Sequence, residues 1–133
     1  MTRQTASCRC GQLRATVAGE PVRVSVCHCL DCKKRSGSAF AVQARYPAGQ
    51  VKIEGRSNAW TKVHENGSRM AFHFCPDCGS DVYYQPADEA DAPMAIPLGT
   101  FDDPYFIAPR VSVWEERKHE WVEILGEDVE RWD

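Results

Sequence analysis

Three thiols, Cys27, Cys29 and Cys32, fall within six consecutive positions of the stretch V-C-H-C-L-D-C-K-K-R-S-G, which runs from Val26 to Gly37. Cys8 and Cys10 precede it in S-C-R-C-G, and Cys75 and Cys78 follow in F-C-P-D-C-G-S, so all seven cysteines lie in three clusters. Core packing does not crowd thiols in this manner, whereas metal ligation does, because C-x-C and C-x-x-C each offer two sulfurs to one ion. Structural zinc sites close on four ligands; catalytic ones use three protein ligands and leave a position open. Seven cysteines divide as four plus three. The Cys75–Cys78 half-site, followed by Gly79, could pair with Cys29 and Cys32, but the 42 intervening residues exceed the usual spacing, and Cys8, Cys10 and Cys27 would be left without a use. The favoured division places Cys8, Cys10, Cys75 and Cys78 on one zinc and leaves Cys27, Cys29 and Cys32 as a compact trio for a second.

Three thiolates give zinc much electron density, which makes it a weaker Lewis acid towards water than zinc held by imidazoles and suits its open position to a soft ligand. A substrate thiol there would ionise below its ordinary pKa of about 8.5. The trio is therefore suited to activating a small thiol for attack on an electrophile such as an aldehyde.

The elements that must position these thiols are short. Leu13, Ala15 and Val17 alternate with Arg14 and Thr16 and predict a strand ending at Ala18-Gly19-Glu20-Pro21; Val22, Val24 and Val26 predict another that leads into the trio. Strand side chains alternate between faces, so Cys27 and Cys29 share one side and His28 takes the other, as Cys8 and Cys10 do about Arg9. Leu30 to Ser36 predicts a tight turn or short helix before Gly37 that returns Cys32 towards Cys29. Strand-like runs follow at Phe40–Tyr46, Val51–Glu54, Ala59–Val63, Met70–Phe74, Asp81–Gln85, Met94–Leu98 and Arg110–Trp114, separated by breakers such as Pro47-Ala48-Gly49, Glu65-Asn66-Gly67 and Asp102-Asp103-Pro104. The expectation is one all-β domain of short antiparallel strands over residues 1–133, without internal repeats or linkers and with a mobile loop at Ala87 to Pro93.

A formal charge of -3 and a pI near 5.8 describe a mildly acidic chain with no field for polyanions. Ionisation of seven thiols around two divalent ions would carry the charge to about -6, so no nucleic-acid partner is expected. The amino-terminal M-T-R-Q-T-A-S has no apolar run, and no stretch approaches the roughly 20 apolar residues that span a bilayer, which predicts a cytoplasmic protein without a membrane partner. An odd number of cysteines in a reducing compartment also favours metal over disulfides. The oligomeric state has no sequence signal.

With these motifs in place, the chain resembles the glutathione-dependent formaldehyde-activating enzymes, which share a domain with centromere protein V. The resemblance is carried by Ser7-Cys8-x-Cys10-Gly11, Cys27-His28-Cys29-x-x-Cys32-Lys33, Phe74-Cys75-x-x-Cys78-Gly79 and Leu98-Gly99-Thr100-Phe101-Asp102, in that order along nearly the whole chain. It implies a β-tent type fold with Cys8, Cys10, Cys75 and Cys78 on a structural zinc. It also implies that Cys27, Cys29 and Cys32 are ligands of a second, catalytic zinc, which can be partly occupied. The implied activity is a carbon–sulfur lyase-type reaction in which glutathione adds to formaldehyde. The alternative is a non-catalytic, zinc-stabilised protein-binding module; zinc storage or redox sensing by the trio is a third reading.

The remaining polar and aromatic residues read as structural. His28 and His73 satisfy hydrogen bonds, with a proton shuttle as the functional alternative for His28. Lys33, Lys34 and Arg35 form a solvated turn, unless they neutralise the trio or attract carboxylates. Trp60, Trp114, Trp121, Trp132, Tyr83 and Tyr84 belong to the core and sheet faces, and Glu115 to Glu120 to a solvated edge.

Overall fold

The computed structural model describes residues 2–133. Chain order runs β1 (Arg3–Ser7), β2 (Arg14–Ala18), β3 (Arg23–Cys27), the helix α1 (Leu30–Ser36), β4 (Ala41–Tyr46), β5 (Val51–Glu54), β6 (Asn58–Val63), β7 (Arg69–Phe74), β8 (Asp81–Pro86), β9 (Met94–Pro97), β10 (Val111–Val113) and β11 (Glu130–Arg131). The predicted strands recur within a residue or so of their expected ends. Two were not foreseen. β1 has one buried side chain, Ala6, and so carries almost no apolar alternation, and β11 is two residues long.

The strands form two sheets. β1, β2 and β5 make a small antiparallel sheet, with Ala6 opposite Ala15 and Ala15 opposite Ile53. The other eight follow the order β11-β10-β3-β4-β9-β8-β7-β6. That sheet is antiparallel except at β10, which returns along β3 and β11 in parallel, with Val111 opposite Ser25 and Val113 opposite Cys27. Register of this kind depends on a long crossover and leaves no local pattern.

The core lies between the sheets. Leu13, Ala15 and Val17 meet Val24, Ala44, Tyr46, Val82 and Ile96, and Phe101 closes the side by bridging back to Ala6. Burial of this apolar set at about 25 cal/mol per Å² is what holds the two sheets together.

The opposite face of the large sheet is polar and aromatic. Ser25 and Gln43 are buried there, and Trp60, Phe72 and Tyr84 run across β6, β7 and β8 in direct register, with ring centroids 6.1 and 4.8 Å apart. β3 is therefore covered on both sides, which is why its residues from Val24 to Cys27 are all buried. Tyr83 and Tyr84 are buried as expected, but Trp60, Trp114, Trp121 and Trp132 stay exposed. The last three lie in the short-strand tail, where too little sheet remains to cover an indole.

Candidate metal centres

Two hairpin loops build the first centre, and they are built alike. The N–H of Cys8 donates to the carbonyl of Leu13 at 3.0 Å, and that of Cys75 to the carbonyl of Ser80 at 3.0 Å, so each loop is pinched five residues on. Arg9 N–H donates to Ser80 Oγ and joins the two loops. Cys8, Cys10, Cys75 and Cys78 then bring their sulfurs within 4.8 Å of one another. The Cys8–Cys10 and Cys10–Cys75 separations are 3.6 and 3.7 Å. These are not disulfide lengths; they match the edge of roughly 3.8 Å that a tetrahedron of sulfurs bound at about 2.3 Å requires.

Donors converge on the same sulfurs, as a cluster of thiolates needs. Leu13 N–H reaches Cys8 at 3.3 Å, Asp77 N–H reaches Cys75 at 3.4 Å, and the side-chain amide of Gln12 reaches Cys75 at 3.0 Å. Hydrogen bonds with the Ser80 hydroxyl and backbone draw the Cys78 thiol down to about 5. The donor set and spacing fit a soft divalent ion such as zinc.

The second centre sits where β3 runs into α1. Cys27 ends the strand, Cys29 caps the helix by accepting the Cys32 N–H at 3.4 Å, and Cys32 lies in the first turn. Their sulfurs also lie within 4.8 Å of one another, with Cys27 and Cys29 3.4 Å apart. Among the described residues no fourth sulfur, imidazole or carboxylate joins them. The hydrogen bond from Cys27 lowers the Cys32 thiol to about 6 against the opposing effect of burial, helped by Cys29 and the Arg35 guanidinium. The trio thus fits an ion while leaving a coordination position to something else.

The profile of the family described as glutathione-dependent formaldehyde-activating enzyme matches residues 3–117, a span that holds both sets of cysteines. This chain belongs to that family. A Halomonas elongata protein provisionally named glutathione-dependent formaldehyde-activating enzyme is 26% identical over 132 residues, covering 94% of this chain and 83% of its own. A crystal structure of a Rhodobacter sphaeroides protein is 17% identical with a TM-score of 0.53, covering 97% of this chain and 99% of that one, and supports the fold alone.

Around the trio of this glutathione-dependent formaldehyde-activating family member, two residues were misread from sequence, Glu115 and Arg35. Glu115 is not part of a solvated edge. It accepts the Ser112 hydroxyl at 2.5 Å and meets His28 Nε2 at 3.3 Å, while Lys118 approaches at 3.4 Å. Trp114, in the left-handed region at φ 57, turns the chain so that Glu115 folds back beneath β10. His28 is fully buried, 2.9 Å from Ser112 Oγ, and its Nδ1 has no protein partner. Burial holds His28 below its usual range, so it is a neutral ring anchored to β10 and not a solvent-facing shuttle. His73 likewise lies away from Phe72 and Phe74, stacked on Tyr83 at 4.3 Å and bonded to Ser57.

The basic run divides. Lys34 is exposed and Lys33 donates to Arg117 O, but Arg35 turns inward until only 11% of its side chain is exposed. Its guanidinium lies 5.1 Å from the Tyr84 ring centre and 5.9 Å from that of Phe72. The signal that separates Arg35 from Lys33 and Lys34 is three-dimensional, because the three are consecutive on a helix of two turns. Gln12 was also missed, since a lone glutamine beside a cysteine loop has no motif value.

Proposed function

We propose that this chain is a zinc-dependent carbon–sulfur lyase-type enzyme that adds glutathione or another small thiol to formaldehyde or a related aldehyde, or reverses that addition. The observation that carries the reading is the contrast between the two centres, four converging sulfurs in one and three in the other. In this reading Cys8, Cys10, Cys75 and Cys78 hold a structural zinc, and Cys27, Cys29 and Cys32 hold the reactive one. Zinc at the trio would supply a Lewis acid that favours the thiolate form of an incoming thiol at neutral pH.

The chain's own part is to hold the trio rigidly and to position the thiol. β3, paired on both sides, fixes Cys27; the cap bond fixes Cys29 relative to Cys32; and Arg35 supplies positive charge beside them. The chemistry is an addition: a carbon–sulfur bond forms, the carbonyl π pair moves to oxygen, and the proton lost by the thiol is matched by one gained at that oxygen. No electron acceptor is needed.

Seven free cysteines accord with a reducing compartment, so the proposed location is the cytoplasm, with residues 1–133 acting as one domain of the β-tent type. Among the described residues no helix is long and apolar enough to cross a membrane. The exposed Trp114, Trp121 and Trp132 favour the second reading, a zinc-stabilised protein-binding module without catalysis. Counting zinc ions in freshly purified protein and then titrating glutathione separates the two. About two ions with thiol binding support the enzyme; one ion and no thiol binding at the trio support the module. Cys29→Ser is expected to stay folded with one ion fewer and to lose thiol binding, and an unfolded product would remove the distinction between the centres.

A further inference from the structure

Arg35 is nearly buried beside the trio, and its guanidinium donors are only partly used. Apart from its approach to Cys32, its contacts are long ones, 3.4 Å to Gln43 Oε1 and 3.9 Å to Asp81 Oδ2, neither of which is a bidentate pair. Burial holds the Asp81 carboxyl above its usual range against the opposing pull of Arg35. A guanidinium carries five donors in a fixed fork, and stacking on Tyr84 and Phe72 holds this one in place without using them.

The same arginine lines a groove of about 470 Å³ whose other walls include Phe40, Val42, Leu98 and Phe101. That groove adjoins the trio, because Ala41 in its wall pairs with Cys27 and Arg35 lies about one turn beyond Cys32 on α1. The larger cleft, about 740 Å³, lies against Arg23 and Val24 at the far end of β3, roughly 13 Å along the strand from Cys27. A one-carbon aldehyde needs no apolar groove. With formaldehyde as the electrophile, the groove is left to the thiol.

We infer that Arg35 and this groove select a small thiol bearing a carboxylate and an apolar arm, with the carboxylate on Arg35, the sulfur at the trio and the arm against Phe40 and Leu98. The inference rests on the reading of the trio as a thiol site and names the class of thiol. Arg35 is then a specificity residue, and Lys33 and Lys34 are not.

Calorimetric titration of the metal-loaded protein with 2-mercaptooctanoate, its methyl ester, 2-mercaptopropionate and octanoate tests this. The acid is expected to bind about tenfold tighter than its ester, since a charge-assisted bidentate contact is lost in the ester. It is also expected to bind about tenfold tighter than the short acid, which leaves the groove empty. Arg35→Gln, which retains much of the stem, should bring the acid and ester within twofold while the long acid keeps its advantage over the short one. Lys34→Ala should change neither ratio.

Equal binding of acid and ester by the unaltered protein overturns the inference, whether or not any variant folds. So does a preference that survives in an Arg35→Gln protein with unchanged circular dichroism. Octanoate reports on the groove without sulfur. If it binds through Arg35 but no mercapto acid binds more tightly, the thiol reading of the trio fails while the anion groove stands. If the thiols bind but acid and ester are alike, the trio reading stands and the role of Arg35 falls.

Discussion

Gln12 ties the first centre to the backbone that follows β5. Its amide donates to Cys75 Sγ at 3.0 Å and to Arg56 O at 2.8 Å, and its carbonyl accepts the Arg56 N–H at 3.0 Å. Gln12→Leu removes all three bonds, so we expect a loss of about 1–3 kcal/mol and faster metal release to a chelator. Unchanged urea midpoint and release rate would show the contacts to be incidental. Ser112 lies behind the second centre, where its buried hydroxyl links His28, between Cys27 and Cys29, to Glu115. Ser112→Ala leaves a carboxylate and an imidazole nitrogen facing a gap, at an expected cost of about 1–3 kcal/mol in chemical denaturation. A change below about 0.5 kcal/mol would mean that water replaces the hydroxyl without loss.

At the scale of elements, both centres are placed by turns that end strands. β5 ends at Gly55, whose φ of 100 is reserved for glycine, and a Cβ there would sit 2.0 Å from the Gln12 carbonyl. That contact is backbone, so it cannot be relieved by rotating a side chain. Gly55→Ala should therefore shift the β1–β2 loop and cost about 2 kcal/mol or more, read as a lower unfolding midpoint together with weaker metal retention. Wild-type behaviour in both would show that the loop carrying Cys8 and Cys10 tolerates displacement. α1, by contrast, ends at Gly37 in open space, and its role is to bring Cys32 to Cys29 and Arg35 to the aromatic row.

For the whole molecule, the position of the four-sulfur centre matters more than its chemistry. Cys8 and Cys10 hang from the small sheet and Cys75 and Cys78 from the large one, so an ion held there crosslinks the two layers that enclose the core. Structural zinc supplies about 10 kcal/mol or more of apparent binding energy, comparable to the stability of a whole domain. Cys78→Ser, or prolonged chelation of the native protein, should accordingly abolish near-ultraviolet circular dichroism and cooperative unfolding. A chelated protein that still melts cooperatively at its original temperature would show that the apolar core suffices.

The sequence by itself determined the three cysteine clusters, the alternation that makes β2 to β10, and the turn after Cys29, because each is written in residues a few positions apart. It also favoured the four-plus-three division, by elimination among spacings. Only the tertiary structure showed which sulfurs converge, since that depends on two hairpin loops 65 residues apart meeting across the sheets. The parallel return of β10, the burial of Glu115 and the inward turn of Arg35 were likewise illegible. Each is decided by a partner distant in sequence, Ser25, His28 or Tyr84, and such contacts leave no period or motif in the residues that make them.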